Sequence, residues 1–288
     1  MVESLVKISK VALIRVDKKP TTVFRHPRHI HPPSELKYIE GGAHLMGVES
    51  ILLDGWVNLW TPGALAQKVP SSCDIAVIKG MSYCLEESMA LARLLKNKGI
   101  ITLAVGQFVS HAAQQTPLGW RDVFDISVLG EPEVQVIELF NQLNSQLETE
   151  RQNEIIDNYN KNFVLQNEIY IENPMKLPAL KITREELRNY PFPFPMRGKF
   201  VKLWGYVMTS WGCPYMTQCK FCSYTVRKSM GSTIRLRSTE QVVAEIKRLV
   251  SIGVDAICFE DDTLFSHKKN FLDICEKIIT SKIKVSWM

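Results

Sequence analysis

Apolar residues along this chain fall into short blocks, separated by longer stretches with helical spacing. Val11-Ala12-Leu13-Ile14-Arg15-Val16 is an apolar run bounded by charge and predicts a buried strand. Ile51-Leu52-Leu53-Asp54, Cys73-Asp74-Ile75-Ala76-Val77-Ile78, residues 100–105 and residues 123–129 predict four more. Between them, residues 33–48 read as a helix. A second helix has Glu86 and Glu87 in its first turn and Lys96 and Lys98 near its end, matching the helix dipole, with Gly99 as its left-handed stop. A third begins near Pro132 and repeats Val136, Ile137, Phe140 and Leu143 close to the helical period. Strands alternating with helices predict an α/β fold, a doubly wound, Rossmann-like parallel sheet covered on both faces. Ligands in such sheets bind beyond the carboxyl ends of the strands. The loops that begin at Asp17, Lys79, Gly106 and Gly130 are therefore the ones expected to carry a site. No G-x-G-x-x-G follows the first strand, which argues against a dinucleotide.

The pattern then changes. Residues 148–173 are polar and read as a helix followed by an extended piece. Thr183-Arg184-Glu185-Glu186 is a capping box that starts a short helix. Tyr190-Pro191-Phe192-Pro193-Phe194-Pro195 must be extended, because alternate prolines exclude both a helix and a central strand. This organisation predicts a first domain over 1–147, a connector over 148–197 and a second domain over 198–288. Residues 200–210 read as a strand. Ser238, with Gln241 three residues on, caps a helix that buries Val242, Val243, Ile246, Leu249 and Val250 and stops at Gly253. The strand 254–259 ends at Glu260-Asp261-Asp262. A helix with Phe271, Leu272, Ile274, Cys275, Ile278 and Ile279 follows, and Ile283-Lys284-Val285-Ser286-Trp287 starts another strand. This β-α-β-α-β order is the opening of a parallel barrel, whose chemistry sits at the carboxyl ends of its strands.

Composition adds bounds. The 288 residues are 45% apolar and 23% charged, with a net charge of +5 and no basic cluster, so nucleic acid is not expected as a partner. The first residues form no signal peptide and no window reaches the length of a membrane span, so the cytoplasm is the expected location, where thiols stay reduced. Cys73, Cys84, Cys258 and Cys275 are scattered and read as small buried hydrophobes.

The other three cysteines are different. Cys213, Cys219 and Cys222 lie within ten residues, spaced C-x5-C-x2-C. Three thiols in one loop point to a metal or iron–sulfur site left one ligand short. A structural zinc would need a fourth ligand. The nearest downstream His is His267, 45 residues on, with Cys258 expected in a strand and Cys275 on a helix. A non-catalytic iron–sulfur or zinc-binding module is the other class this loop allows. Arg235 and Arg237 flank the loop and read as solvated surface, although either could meet a carboxylate.

Gly212-Cys213-Pro214-Tyr215, with Phe221 just before the last cysteine, resembles the cluster loop of radical S-adenosylmethionine enzymes, in the branch that carries a cobalamin-binding domain. The usual spacing there is C-x3-C-x2-C. The first gap here is two residues longer, which adds little to the entropy of closing the loop. In the first half, Gly106-Gln107-Phe108-Val109-Ser110-His111 and Gly130-Glu131-Pro132-Glu133 resemble that domain's Gly-Gly-x-His and Gly-Glu-x-Glu loops, and Pro32-Pro33-Ser34-Glu35-Leu36-Lys37-Tyr38 resembles its Pro-rich entry to the first helix. The resemblance covers roughly residues 10–145 and the cysteine loop.

The resemblance implies a (β/α)6 partial barrel, of which about the first two and a half units are present. It implies a [4Fe-4S] cluster on Cys213, Cys219 and Cys222, whose free iron chelates S-adenosylmethionine and cleaves it to a 5′-deoxyadenosyl radical. It implies S-adenosylmethionine contacts at Phe221, Glu260, Asp261 and Asp262, although those acidic residues also read as a solvated loop capping the next helix. It implies cobalamin contacts at Gly80, Gly106, Gln107, His111, Gly130 and Glu131, although His111 also reads as a surface loop residue. The family's Asp-x-His-x-x-Gly motif is absent after the first strand, which runs into Asp17-Lys18-Lys19-Pro20, and His26, His29, His31 and His44 stand in the wrong pattern. No histidine of that motif is therefore expected on cobalt, or the domain keeps the fold without the cofactor. The implied reaction is methyl transfer to an unactivated carbon or phosphorus, with cyclisation or rearrangement as further uses. The implied partners are a small-molecule or peptide substrate and an electron donor such as flavodoxin or ferredoxin. An incomplete barrel predicts that this chain is the N-terminal part of a longer protein and is weakly active or inactive alone.

Overall fold

The structure is a computed structural model and describes residues 7–17, 31–115, 119–190, 201–215, 219–222 and 231–288. Five parallel strands form the first sheet: β1 Lys10–Arg15, β2 Glu49–Asp54, β3 Ile75–Lys79, β4 Ile101–Val105 and β5 Ile126–Ser127. Their order is β2-β1-β3-β4-β5, so the winding reverses between β1 and β3. The carboxyl ends of these two strands are the switch point at which such sheets bind ligands.

The apolar runs form strands because both faces of the sheet are covered. Ala12 and Ile14 of β1 pack with Leu65, Leu91 and Phe108 on one side. Val11 and Leu13 pack with Leu36, Ile39 and Phe140 on the other. The helices Ser34–Leu45, Leu85–Lys96 and Pro132–Ser145 stand where the sequence pattern places them, and Gly99 takes a positive φ of 76°.

The fifth strand differs from expectation. Residues 120–123 are a helical turn and only Ile126–Ser127 is strand. The helix Thr149–Leu165 explains the short strand, because Asn160 takes the place of a sixth. Its Oδ1 accepts from the Ser127 amide at 3.1 Å and its Nδ2 donates to the Asp125 carbonyl at 2.9 Å. An open sheet edge is thus closed by a side chain. After this helix the chain returns to Gly130, which pairs with Ile169 in a parallel bridge.

The second sheet holds β6 Trp204–Val207, β9 Ala256–Phe259 and β10 Ser286–Trp287, all parallel, in the order β10-β9-β6. The helices Thr239–Ser251 and Lys268–Thr280 cross between them. Ser238 and Gln241 form the expected capping box, as do Thr183 and Glu186 ahead of the short helix Arg184–Leu187. The last long helix buries only Ile274 and Ile278, whereas Leu272 and Ile279 are 52% and 73% exposed. The strand expected over 200–210 ends at Val207. A two-stranded antiparallel ribbon then intervenes, β7 Ser210–Trp211 with β8 Arg235–Leu236. The cysteine loop springs from this ribbon rather than directly from a barrel strand. The proline run 191–195 and the junction near Gly198 lie outside the described residues.

The two sheets meet through a small mixed core of Tyr38, Ile171, Leu177, Leu180 and Trp211. Beside it, Tyr190 donates its hydroxyl to Asp54 Oδ2 at 2.8 Å, and Tyr206 donates to the Tyr190 carbonyl at 2.9 Å. Asp54 is also held by Arg15 at the end of β1 (Nε to Oδ1, 3.0 Å). The carboxyl end of the first sheet is therefore fastened directly to the second.

Candidate functional site

The carboxyl ends of both sheets face one cavity of about 370 Å³. One wall is the first sheet's loops, with Lys79, Gly106, Gln107, Gly130, Glu131 and Glu133. The other is Met208, Trp211, Cys258 and Glu260-Asp261-Asp262, and Ser34 and Glu35 close the side. Four of the six expected cobalamin contacts, Gly106, Gln107, Gly130 and Glu131, line this space. Gly80 and His111 do not. The loop expected to carry His111 is already helix from Gln107, and His111 sits one turn in, away from the cavity. Gly80 is buried behind it, where a Cβ would lie 2.8 Å from Ser88 Oγ. Gly130, at φ 96°, is required by the fold itself, because a Cβ there would lie 2.2 Å from the Ile169 carbonyl oxygen.

Glu131 is committed within the protein. Its carboxylate takes two prongs from Arg235, at 2.5 and 2.8 Å, and the Ile171 amide at 2.7 Å. Arg235 is not solvated surface, and neither is Arg237, which pairs with Glu245 at 2.6 Å and donates to the Met208 carbonyl at 2.9 Å. Their side chains are buried because each meets a carboxylate, Glu131 from 104 residues away for Arg235 and Glu245 on the next helix for Arg237.

The acidic loop after β9 divides its work. Glu260 turns towards the first half: Ser34 Oγ donates to it at 2.9 Å, and His31 Nδ1 lies 3.2 Å from its other oxygen. Burial pushes its carboxyl up to about 7, against the Ser34 bond. Asp261 accepts from the Thr209 amide and hydroxyl and from the Ser210 hydroxyl, the last two at 2.6 Å. Asp262 accepts from the Gly212 amide at 3.1 Å, and burial raises it to about 6. The loop thus holds the start of the cysteine segment rather than standing solvated. Cys258, expected as core, is only partly buried and lines the cavity, its thiol pushed up to about 11 by burial and then by Glu260.

Cys213, Cys219 and Cys222 are free, half-buried thiols beside this rim. The Cys213 amide donates to the Gly231 carbonyl at 2.9 Å, and the Thr263 hydroxyl reaches Cys213 Sγ at 3.2 Å. The Phe221 amide points at Cys219 Sγ from 3.4 Å, and its ring is 94% exposed. Residues 216–218, within the longer first gap, lie outside the described residues. Among the described residues, no three His, Cys, Asp or Glu side chains are gathered closely enough to hold one metal ion. A cubane makes a different demand, since it takes each thiolate on a separate iron.

Two residues that the sequence reading left without a role stand out. Lys79 forms an ion pair with Glu35 across the cavity wall. Burial alone would raise Glu35, but the ammonium prevails and holds the carboxyl at about 2. Glu133 is 2% exposed and accepts from Trp211 Nε1 at 3.1 Å, while its Oε2 has no partner. Burial, then Glu35 and Glu131, push it to about 8. The sequence signal for Glu133 was its place at the end of Gly130-Glu131-Pro132-Glu133, which the structure puts in the first turn of the helix Pro132–Ser145.

No family model matches the chain. An uncharacterised methyltransferase of Pyrococcus horikoshii is 27% identical over 226 residues, 74% of this chain and 45% of its own length. A hopanoid C-2 methylase of Rhodopseudomonas palustris is 32% identical over 98 residues, 33% of this chain and 18% of its own. Among solved structures, the radical S-adenosylmethionine methyltransferase TsrM of Kitasatospora setae, with cobalamin and a [4Fe-4S] cluster bound, superposes with a TM-score of 0.64 over 96% of this chain and 53% of its own, at 15% identity. The cobalamin-dependent S-adenosylmethionine radical enzyme OxsB, with aqua-cobalamin and S-adenosylmethionine bound, gives 0.61 over 98% and 38%, at 15% identity. The likeness is one of fold: this chain folds as the matched parts of TsrM and OxsB do, across nearly its whole length, and it spans 45% of the methyltransferase and 53% of TsrM.

Proposed function

We propose that the chain is the cobalamin-binding and cluster-binding part of a radical S-adenosylmethionine methyltransferase, organised as 1–147, a connector over 148–197 and the start of a radical barrel over 198–288. The observation that carries this reading is the convergence on one cavity of the first sheet's switch-point loops and the rim that holds the three-cysteine loop. Bound here, a [4Fe-4S] cluster supplies the electron for reductive cleavage of S-adenosylmethionine, and cobalamin supplies a methyl carrier.

The donor set fits. Cys213, Cys219 and Cys222 are three reduced thiols on one loop and would hold three corners of the cluster. Asp261 and Asp262 fix where that loop starts, through Thr209, Ser210 and Gly212. Phe221 projects beside the cysteines and is free to cover an adenine. Glu260, at the junction of the two halves, is the acidic residue best placed to reach either ligand. At about 370 Å³ the cavity is near the lower end of ligand sites, roughly 300 Å³, so it would grip part of a cobalamin rather than enclose it. Gly106, Gln107 and Gly130 belong to the wall that would receive it. An electron donor such as flavodoxin or ferredoxin would serve the cluster, and a small molecule or peptide is the substrate class. Among the described residues no helix is long and apolar enough to cross a membrane.

The test is anaerobic reconstitution with iron and sulfide, followed by mixing with hydroxocobalamin and desalting. The proposal expects about four irons and four sulfides per chain and a retained corrin spectrum. Iron without a retained corrin would leave a radical enzyme that does not use cobalamin. One tight zinc and no sulfide would leave a non-catalytic metal module.

A further inference from the structure

Glu133 has the attributes of a ligand-binding group that the protein itself does not use up. It lies on the cavity wall and is 2% exposed. One oxygen accepts from Trp211 Nε1 at 3.1 Å, and the other, Oε2, is out of water with no protein partner. The charged groups around it are already committed. Glu35 is paired with Lys79, Glu131 with Arg235, and Arg237 with Glu245. Asp262 accepts from Gly212, Glu260 accepts from Ser34 beside His31, and the buried Tyr38 hydroxyl, whose ring packs on Trp211, makes no hydrogen bond to Glu133. No free cation faces Glu133 among the described residues, and two carboxylates do. An ionised, unpaired carboxylate in such a place is costly, so the acid form is favoured.

A carboxylic acid whose first oxygen already accepts has an O–H left to give. We propose that Glu133 is a neutral hydrogen-bond donor that delivers its Oε2–H to an amide carbonyl on the periphery of the corrin held in this cavity. A neutral acceptor suits the site better than an anion, because Glu35, Glu131 and Glu260 would repel a carboxylate such as that of S-adenosylmethionine. The inference rests on the cobalamin reading and adds to it a residue that fixes ligand orientation.

The sign of the pH dependence tests the role. A donor is lost as Glu133 ionises, so binding weakens with rising pH. A carboxylate accepting from a ligand N–H or cation would strengthen instead. The probe is methylcobalamin in the dark, which carries no titrating water on cobalt in this range. Its affinity for the full chain is measured at pH 7 and pH 9. With the Glu133 carboxyl at about 8, wild type is expected to bind about tenfold more weakly at pH 9. Glu133→Gln keeps an acceptor for Trp211 and a permanent N–H donor, so its affinity should match wild type at pH 7 and lose this drop. Glu133→Leu should bind weakly at both. Equal pH profiles for wild type and Glu133→Gln, or tighter binding at pH 9, overturn the donor role alone. A pH-dependent affinity for S-adenosylmethionine with a flat one for methylcobalamin overturns the corrin assignment. Failure of wild type to bind methylcobalamin at either pH overturns the cobalamin reading and this inference with it.

Discussion

Glu131 and Arg235 stand 104 residues apart and meet as a two-pronged ion pair, Nη1 to Oε2 at 2.5 Å and Nη2 to Oε1 at 2.8 Å. Both side chains are buried, at 5% and 9%. The pair ties the loop after β5 to the ribbon that bears the cysteines. Removing one partner leaves a buried charge, so Arg235→Ala and Glu131→Ala should each cost about 3–5 kcal/mol by denaturant unfolding. The double variant should cost clearly less than the sum, and additive losses would show that the pair is not coupled.

Cysteine variants separate ligands from core. Cys213→Ala, Cys219→Ala and Cys222→Ala should each lose most of the reconstituted iron and the visible absorption of the cluster. Cys275→Ala, on the helix Lys268–Thr280, should keep both. Loss of iron from the Cys275 variant alone would redirect the ligand assignment.

Phe221 offers a cleaner test because its ring is 94% exposed. Phe221→Ala should change unfolding free energy by no more than about 0.5 kcal/mol. It should nevertheless weaken S-adenosylmethionine binding to the reconstituted protein. Unchanged affinity would remove Phe221 from the site.

The Glu35–Lys79 pair predicts an acid limb. The Glu35 carboxyl is held at about 2 in the fold against an ordinary 4.5. A depressed carboxylate stabilises fully above its unfolded value and loses that contribution as pH falls towards the folded one. The stability gap between wild type and Lys79→Met should therefore be constant above pH 5 and close between about pH 4.5 and 2. Solvent still reaches a third of the Glu35 side chain, so the gap should sit at the modest end for partly buried pairs. A gap that does not close would refute the pairing as its source.

Two glycines with positive φ should behave differently. Gly99→Ala meets nothing within 4 Å and should cost about 1 kcal/mol for backbone strain. Gly130→Ala drives a Cβ into the Ile169 backbone and should cost more than about 2 kcal/mol. It should also weaken the Glu131 anchor, seen as a smaller penalty for a subsequent Arg235→Ala.

The sheet was legible in the sequence because burial on both faces writes continuous apolar runs, as in β1 and β3. Capping boxes at Thr183 and Ser238 were legible because their partners are three residues away. The shortened β5 was not, since its partner is Asn160 on a later helix. Nor were the roles of Arg235, Arg237 and Asp261, set by contacts with Glu131, the Met208 carbonyl and Thr209, all remote in sequence. The cysteine spacing and the loop after β5 pointed to segments that the fold brings to the carboxyl ends of its two sheets. That His111 lies on a helix was not legible, because Gln107 starts a helix where a loop was expected.

Glu260, Asp261, Asp262 and Thr263 are consecutive, yet they reach four different places: Ser34, the Thr209–Ser210 pair, Gly212 and Cys213. Four neighbouring side chains with four separate anchor points act as a ruler. Inserting or deleting a single residue between β9 and the turn at Leu264–His267 would shift every mark at once. Length in this segment should therefore be far less tolerant of change than side-chain identity, and an insertion scan should reveal a narrow forbidden zone beside more permissive loops.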